Sequence, residues 1–167
     1  MVKAFLFVGV AAVLAAAEPA LRVSGVAGRD GVAKPALALS MADLAGMRRT
    51  SERVRGRDGQ ERLYEGVLLA EILRRAGQPE GEELRGSLLA RYVLLSAHDG
   101  YRVIYSLPEV DPGFTATRVM VADRVDGKPL PEREGPLRIV AAGDKREARW
   151  IRMLEKIEIV SAPEGMR

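Results

Sequence analysis

An α+β fold, rich in β-structure and built as one domain with short helices, is what this sequence predicts. Three observations carry that reading. Short apolar–polar alternations recur along the chain, turn residues punctuate them at close intervals, and only two segments carry a helical apolar face. Neither an internal repeat nor a composition break divides residues 18–167, so they are read as one domain of a size that supports a real core.

In chain order, residues 21–26 (LRVSGV) alternate with the period of a half-buried strand. Gly28 and Gly31 mark a turn, and residues 35–39 form a second strand. Ser40 is a good N-cap with Asp43 three residues on, which predicts a short helix over 41–47. A strand follows over 50–57, and Asp58-Gly59 is a hairpin-type turn into a strand at 60–64. Gly66 is read as a break before a helix at 67–76, where Leu68, Leu69, Ile72 and Leu73 share a face and Gly77 is the stop. After a polar connection (78–86) comes a hairpin, with strands at 92–97 and 101–107 around His98-Asp99-Gly100. Pro108 to Phe114 is read as a surface turn, followed by strands at 117–122, 137–141 and 157–160. Between the first two of these lies VDGKPLPEREGPLRIV (125–140), a long stretch stiffened by prolines. It ends in Arg138 at the mouth of a strand, where ligand contacts tend to sit.

Composition narrows the function. Residues 1–17 read as a secretory signal: Lys3 is basic, 4–14 are apolar, and Ala15-Ala16-Ala17 suits cleavage before Glu18. That apolar run is shorter than the ~20 residues a membrane helix wants. The expectation is therefore a periplasmic or secreted product with no membrane span after cleavage. The chain has no cysteine, which excludes thiolate catalysis, Cys-ligated zinc and iron–sulfur clusters. Its single histidine, His98, excludes multi-histidine metal sites.

Lys3, Lys34, Lys128, Lys145 and Lys156 are the only lysines among 26 basic residues. Arginine dominance suits planar anions, and a GC-rich coding bias produces the same pattern. Mixed charge and few aromatics argue against a nucleic-acid partner. Arg53, Arg55 and Arg57 are spaced to share one strand face. Facing Arg138 they would make an anion-binding concavity; facing water they would be a solvated edge that discourages strand pairing. His98 reads as a surface turn residue, and its spacing with Ser96 and Asp99 is not that of a catalytic triad. Trp150, accompanied by Ile151 and Leu154, reads as a core or rim anchor. No catalytic residue and no metal ligand is assigned.

Three segments together resemble the molybdopterin-binding domain of the sulfite oxidase family: YEGVLLAEILRRAG (64–77), SAHDGYRVIYSLPEV (96–110), and the stretch from Val125 with its Gly-Pro-x-Arg step, charged loop and Trp-Ile. The resemblance spans residues 21–160. It implies a mixed α+β domain that, in active relatives, grips a molybdenum–pterin cofactor and transfers oxygen atoms on sulfite- or sulfoxide-like substrates. Relatives ligate the metal through one cysteine, in the region matching Val54 to Arg57, where this chain reads Val-Arg-Gly-Arg. Arg is a poor replacement because it stays protonated.

The family arginine that helps bind the cofactor's anionic end matches Arg138. Before it stands Glu134, whose charge opposes a phosphate. In the last loop the resemblance points to Lys145, Arg146 and Arg149. The ligand-binding candidates are thus Arg138, Arg55, Arg57 and Arg149. The expected function is an exported module of this fold, without an intact molybdenum site, that binds a small anion, a pterin-type ligand or a protein. The alternatives are an oxidoreductase that holds molybdopterin without a Cys ligand, and an accessory subunit of a redox partner.

Overall fold

Alternation of buried and exposed side chains builds two β-sheets in the computed structural model, which describes residues 18–25, 32–56 and 58–163. The proposed leader at 1–17, Val26 at the end of the first expected strand, and the site candidate Arg57 lie outside the described residues. The first sheet has the order β2-β1-β10-β5-β6. Its strands are β1 (Leu21–Gly25), β2 (Leu37–Leu39), β5 (Arg91–Ala97), β6 (Arg102–Ser106) and β10 (Leu154–Ser161). β1 runs parallel to β10, and every other pairing is antiparallel. Leu21, Val23, Val93, Leu95, Tyr105, Ile157 and Ile159 form its buried face.

The second sheet joins β3 (Arg49–Arg55), β4 (Glu61–Leu68) and β7 (Val119–Val125). Two short strands, β8 (Lys128–Pro129) and β9 (Arg138–Ala141), share the far edge of β7. β7 is buried from Val119 through Asp123, so it reads as an apolar run rather than an alternation. Between Gly66 and Glu65 the register with β7 shifts and leaves Asp123 as the extra residue of a bulge. There Asp123 accepts two hydrogen bonds from Arg49, at 2.7 and 2.5 Å, which satisfies a carboxylate only 8% exposed. One hydrophobic cluster, including Leu69, Ile72, Met120, Ile139 and Leu154, connects the two sheets.

Among the described residues three α-helices, not two, decorate the sheets. α1 (Met41–Ala45) starts as expected: Ser40 Oγ accepts from the Asp43 N–H at 3.1 Å, and the Asp43 carboxylate accepts from the Ser40 N–H at 2.9 Å. α2 (Leu69–Arg75) is shorter than expected because β4 continues through Gly66 to Leu68. Gly66 is therefore not a break. It is a point of close approach, where a Cβ would stand 2.0 Å from the Val121 carbonyl oxygen. The expected surface turn at 108–114 begins instead as α3 (Leu107–Val110), whose N-terminus is held by a 2.7 Å hydrogen bond from the Ser106 N–H to Glu109. Leu107, Val110 and Asp111 are buried there, with Asp111 accepting from the N–H groups of Gly81 and Gly113. Among the described residues no helix is long and apolar enough to cross a membrane.

Candidate functional site

Asp126 and Gly127, both at positive φ, turn β7 into β8 as a tight hairpin. The chain then passes Leu130, which is buried, and turns again where the N–H groups of Glu134 and Gly135 both bond to the Pro131 carbonyl. A cis Gly135–Pro136 peptide leads into β9. The following loop folds back along β9, with Ile139 N–H donating to Ile151 O and Leu154 N–H to Leu137 O, each at 2.8 Å. These turns set Glu134 beside Arg138 and bring the Trp150 ring to Arg138.

Arg138 is 3% exposed and lies in the wall of a cleft of about 470 Å³ between the β3–β4 end and this loop. Its Nη1 donates to Glu134 Oε2 at 2.5 Å and to Tyr64 Oη at 3.3 Å. The guanidinium carbon sits 5.1 Å from the Tyr64 ring centre and 5.9 Å from that of Trp150, within cation–π range. Arg138 Nε has no hydrogen-bond partner. Burial pushes the Tyr64 hydroxyl above its ordinary pKa, with Arg138 pulling the other way. Trp150, as expected, is an anchor: it is buried and its indole N–H donates to Ala141 O at 3.1 Å.

The same cleft holds a second internal pair at its outer rim. Arg62 donates to both oxygens of Asp58, and that hydrogen bonding holds the Asp58 carboxyl down at about 2. Arg62, Arg133, Arg138 and Arg152 line the cleft against Asp58, Asp126, Glu134 and Glu147. Positive and negative side chains are therefore equal in number.

A second cleft, of about 380 Å³, adjoins the first and shares Val54, Gly56, Glu147 and Trp150 with it. Here the charge balance is different. The exposed face of β3 contributes Arg53 and Arg55, and the loop after β9 contributes Lys145 and Arg146. Arg55 approaches Glu61 only to 3.8 Å, with both side chains more than half exposed. Arg53 and Arg55 thus do share a face, as their spacing predicts, but that face opens beside the Arg138 cleft and not into it.

Arg149 stands elsewhere. Its guanidinium donates to Asp144 at 2.6 and 3.1 Å and to Glu109 at 2.9 Å, and it stacks 4.3 Å from the Tyr105 ring centre. Arg149 lines a third cavity, with Tyr105, Phe114 and Thr117, and the fold does not bring it to Arg138. His98 is a surface turn residue, its Nδ1 3.7 Å from the Glu155 carboxylate. Among the described residues no group of three or more His, Cys, Asp or Glu side chains could hold a metal ion.

Sequence reasoning did not anticipate that Glu134 closes on Arg138 or that Tyr64 and Arg62 line the same cleft. Tyr64 and Arg138 are 74 positions apart, so no local pattern links them. The pair Glu134/Arg138 did carry a signal, namely two opposite charges flanking a rigid Gly-Pro turn.

Comparison with known proteins agrees with this fold. The family model described as "Oxidoreductase molybdopterin binding domain" matches residues 44–166. Among solved structures, the fold resembles the crystal structure of the sulfane dehydrogenase SoxCD from Paracoccus pantotrophus, with a TM-score of 0.61 and 18% sequence identity. The match covers 83% of this chain and 37% of that one, so the present chain spans well under half of its neighbour's length. No curated protein matches the sequence.

Proposed function

The chain belongs to the oxidoreductase molybdopterin-binding domain family, and on that premise we propose that it is an exported member that binds its ligand without a protein-ligated molybdenum. The observation that carries the reading is the buried contact between Arg138 and Glu134 at 2.5 Å. The arginine that the family resemblance assigns to the cofactor's anionic end already has an internal carboxylate as its counter-ion. A phosphate brought to Arg138 would also meet Glu134, and like charges at close range disfavour it.

The donor set supports the same reading. A soft thiolate is the protein ligand in active relatives, and this chain contains no cysteine. The region that matches the ligand presents Val54, Arg55 and Gly56, none of which offers an anionic donor. Two of the four carboxylates of the cleft already have a cation partner, Asp58 in Arg62 and Glu134 in Arg138, and a third, Asp126, accepts from the Leu63 N–H. The residues present do not fit a molybdenum–pterin group held in the family manner. No catalytic step is assigned through it.

The role left to the scaffold is binding, in the joined clefts that meet at Val54, Gly56, Glu147 and Trp150. Its volume of several hundred Å³ is that of a small-molecule site. Export rests on the leader-like residues 1–17.

The test is metal content. Full-length protein produced in a host that makes molybdenum cofactor is purified and assayed by mass spectrometry. Substoichiometric, background-level molybdenum is the expected result, and a stoichiometric metal would overturn the reading. Fractionation of the producing cells tests export separately, with the protein expected outside the cytoplasm and shortened near Ala17.

A further inference from the structure

We propose that the cleft between β3 and the loop after β9 is an oxyanion site, taking a small molecule that carries a phosphoryl or sulfo group through Arg53, Arg55, Lys145 and Arg146. The proposal deepens the molybdenum-free reading above and rests on it.

The charge balance points to the ligand. Arg53 and Arg55 alternate outward on β3, and Lys145 and Arg146 face the same cavity from the loop. Among the described residues the side chains of Arg53, Lys145 and Arg146 make no ion pair or hydrogen bond, and that of Arg55 has only its distant, exposed contact with Glu61. An exposed pair at that distance holds little. Two carboxylates also line the cavity, Asp144 and Glu147. Asp144 is already neutralised, because both its oxygens receive hydrogen bonds from Arg149. Glu147 alone is left to oppose four positive groups. A cleft lined by one sign of charge focuses its field and concentrates counter-ions.

Rigidity separates this cluster from a merely solvated face. The loop that carries Lys145 and Arg146 is fastened at both ends and in the middle. Asp144 N–H bonds to Ala141 O at 2.9 Å, and Trp150 N–H bonds to Glu147 O at 2.9 Å. Tyr101 Oη, from the β5–β6 hairpin, donates to Ala148 O at 2.8 Å, and Tyr105 Oη donates to Arg149 O at 3.2 Å. Arg149 adds its clamp on Asp144 and Glu109. The loop's conformation therefore does not have to be ordered by the ligand, which lowers the cost of binding. The opposite wall is a strand, whose side chains are aimed by the sheet register with Arg53 opposite Leu63 and Arg55 opposite Glu61.

The residue types suit a terminal oxyanion. Three guanidinium groups offer paired N–H donors that match the oxygens of a phosphoryl or sulfo group, and one ammonium adds a point charge. The cavity of about 380 Å³ admits such a group with a small organic body, which can extend past Val54 and Trp150 toward the neutral Arg138 cleft.

The experiment is calorimetric titration of the full chain with inorganic phosphate, pyrophosphate and sulfate at low ionic strength. Saturable one-to-one binding that weakens as salt is added is the expected result. The pairs Arg53→Gln/Arg55→Gln and Lys145→Gln/Arg146→Gln are each expected to weaken it by about tenfold or more, with melting temperature unchanged. Arg22→Gln, on the other sheet, is expected to leave affinity as it was, since it removes the same kind of charge far from the cleft. An equal loss with Arg22→Gln would show a general charge effect and overturn the proposal. So would the absence of saturation with all three anions in a chain that carries no molybdenum, an outcome that leaves the metal-free reading standing. Stoichiometric molybdenum would instead remove that reading, and with it the premise of this site.

Discussion

Arg138 Nη1 and Glu134 Oε2 are 2.5 Å apart in a place where Arg138 is 3% exposed. Two residues that flank one rigid turn thus neutralise each other beneath the Tyr64 and Trp150 rings. The contact gives Arg138 a counter-ion within a cleft whose positive and negative side chains are equal in number, while the adjoining cleft has a surplus of positive ones.

Removing one half of that pair strands the other. Arg138→Met is expected to destabilise the fold by about 3–5 kcal/mol, because Glu134 keeps a half-buried charge with no counter-ion. The double variant Arg138→Met/Glu134→Leu is expected to recover more than half of that loss. Urea unfolding of the two variants and the parent checks it; equal destabilisation in both would show that packing, not charge, dominates.

Glycine positions separate close approach from mere flexibility. A Cβ at Gly66 would stand 2.0 Å from the Val121 carbonyl, a backbone atom that cannot step aside. Gly66→Ala is expected to cost at least the upper part of the roughly 1–3 kcal/mol typical of overpacking. At Gly46, φ is −79° and the nearest atoms to a Cβ lie at 3.6 Å. There Gly→Ala is expected to be neutral or to stabilise by about 0.4–1 kcal/mol through the unfolded chain. Thermal melts of the two variants give opposite signs.

Asp58 sets part of the acid limb of stability. Hydrogen bonds from Arg62, then from the Gln60 N–H, hold its carboxyl at about 2 against an ordinary 3.8. A depressed folded-state pKa adds stability above the unfolded value and loses it as pH falls from about 4 toward 2. Asp58→Asn is therefore expected to be less stable than the parent at neutral pH and to converge with it near pH 2. Melting temperatures measured across that window check the convergence, and a carboxyl NMR titration reads the pKa directly.

Tyr64 behaves in the opposite sense at the alkaline end. Burial raises its hydroxyl pKa above 10, so the folded state disfavours the phenolate. Its contribution is intact below the unfolded value and is lost as pH rises beyond it. Tyr64→Phe is expected to leave the ultraviolet tyrosinate signal around pH 10 unchanged and to remove signal only at higher pH. Loss of signal at the ordinary pKa would show that the ring is solvated.

Local patterns were a good guide where local chemistry decides. The Ser40–Asp43 cap, the hairpin around Asp99-Gly100 and the turn at Asp126-Gly127 all stand where short-range rules put them. The misses have one physical origin. Gly66 lies inside a strand because β7 passes within van der Waals reach of it, and Val110 and Asp111 are buried because α3 closes over the region of Leu84 and Gly81. Both depend on contacts between residues distant in sequence.

Among the candidate side chains the same division holds. By itself the sequence determined the residue types, the lack of any thiol, the β-rich α+β class and the family of the scaffold. It also placed Arg53 and Arg55 on one face, since the two-residue period of a strand needs no tertiary information. Only the tertiary structure decided which arginines already have a counter-ion. Arg138 meets Glu134, and Arg149 meets Asp144 and Glu109, whereas Arg53, Lys145 and Arg146 meet none among the described residues. Charge pairing falls off within a few ångströms, and those separations are set by how the two sheets and their loops close on one another.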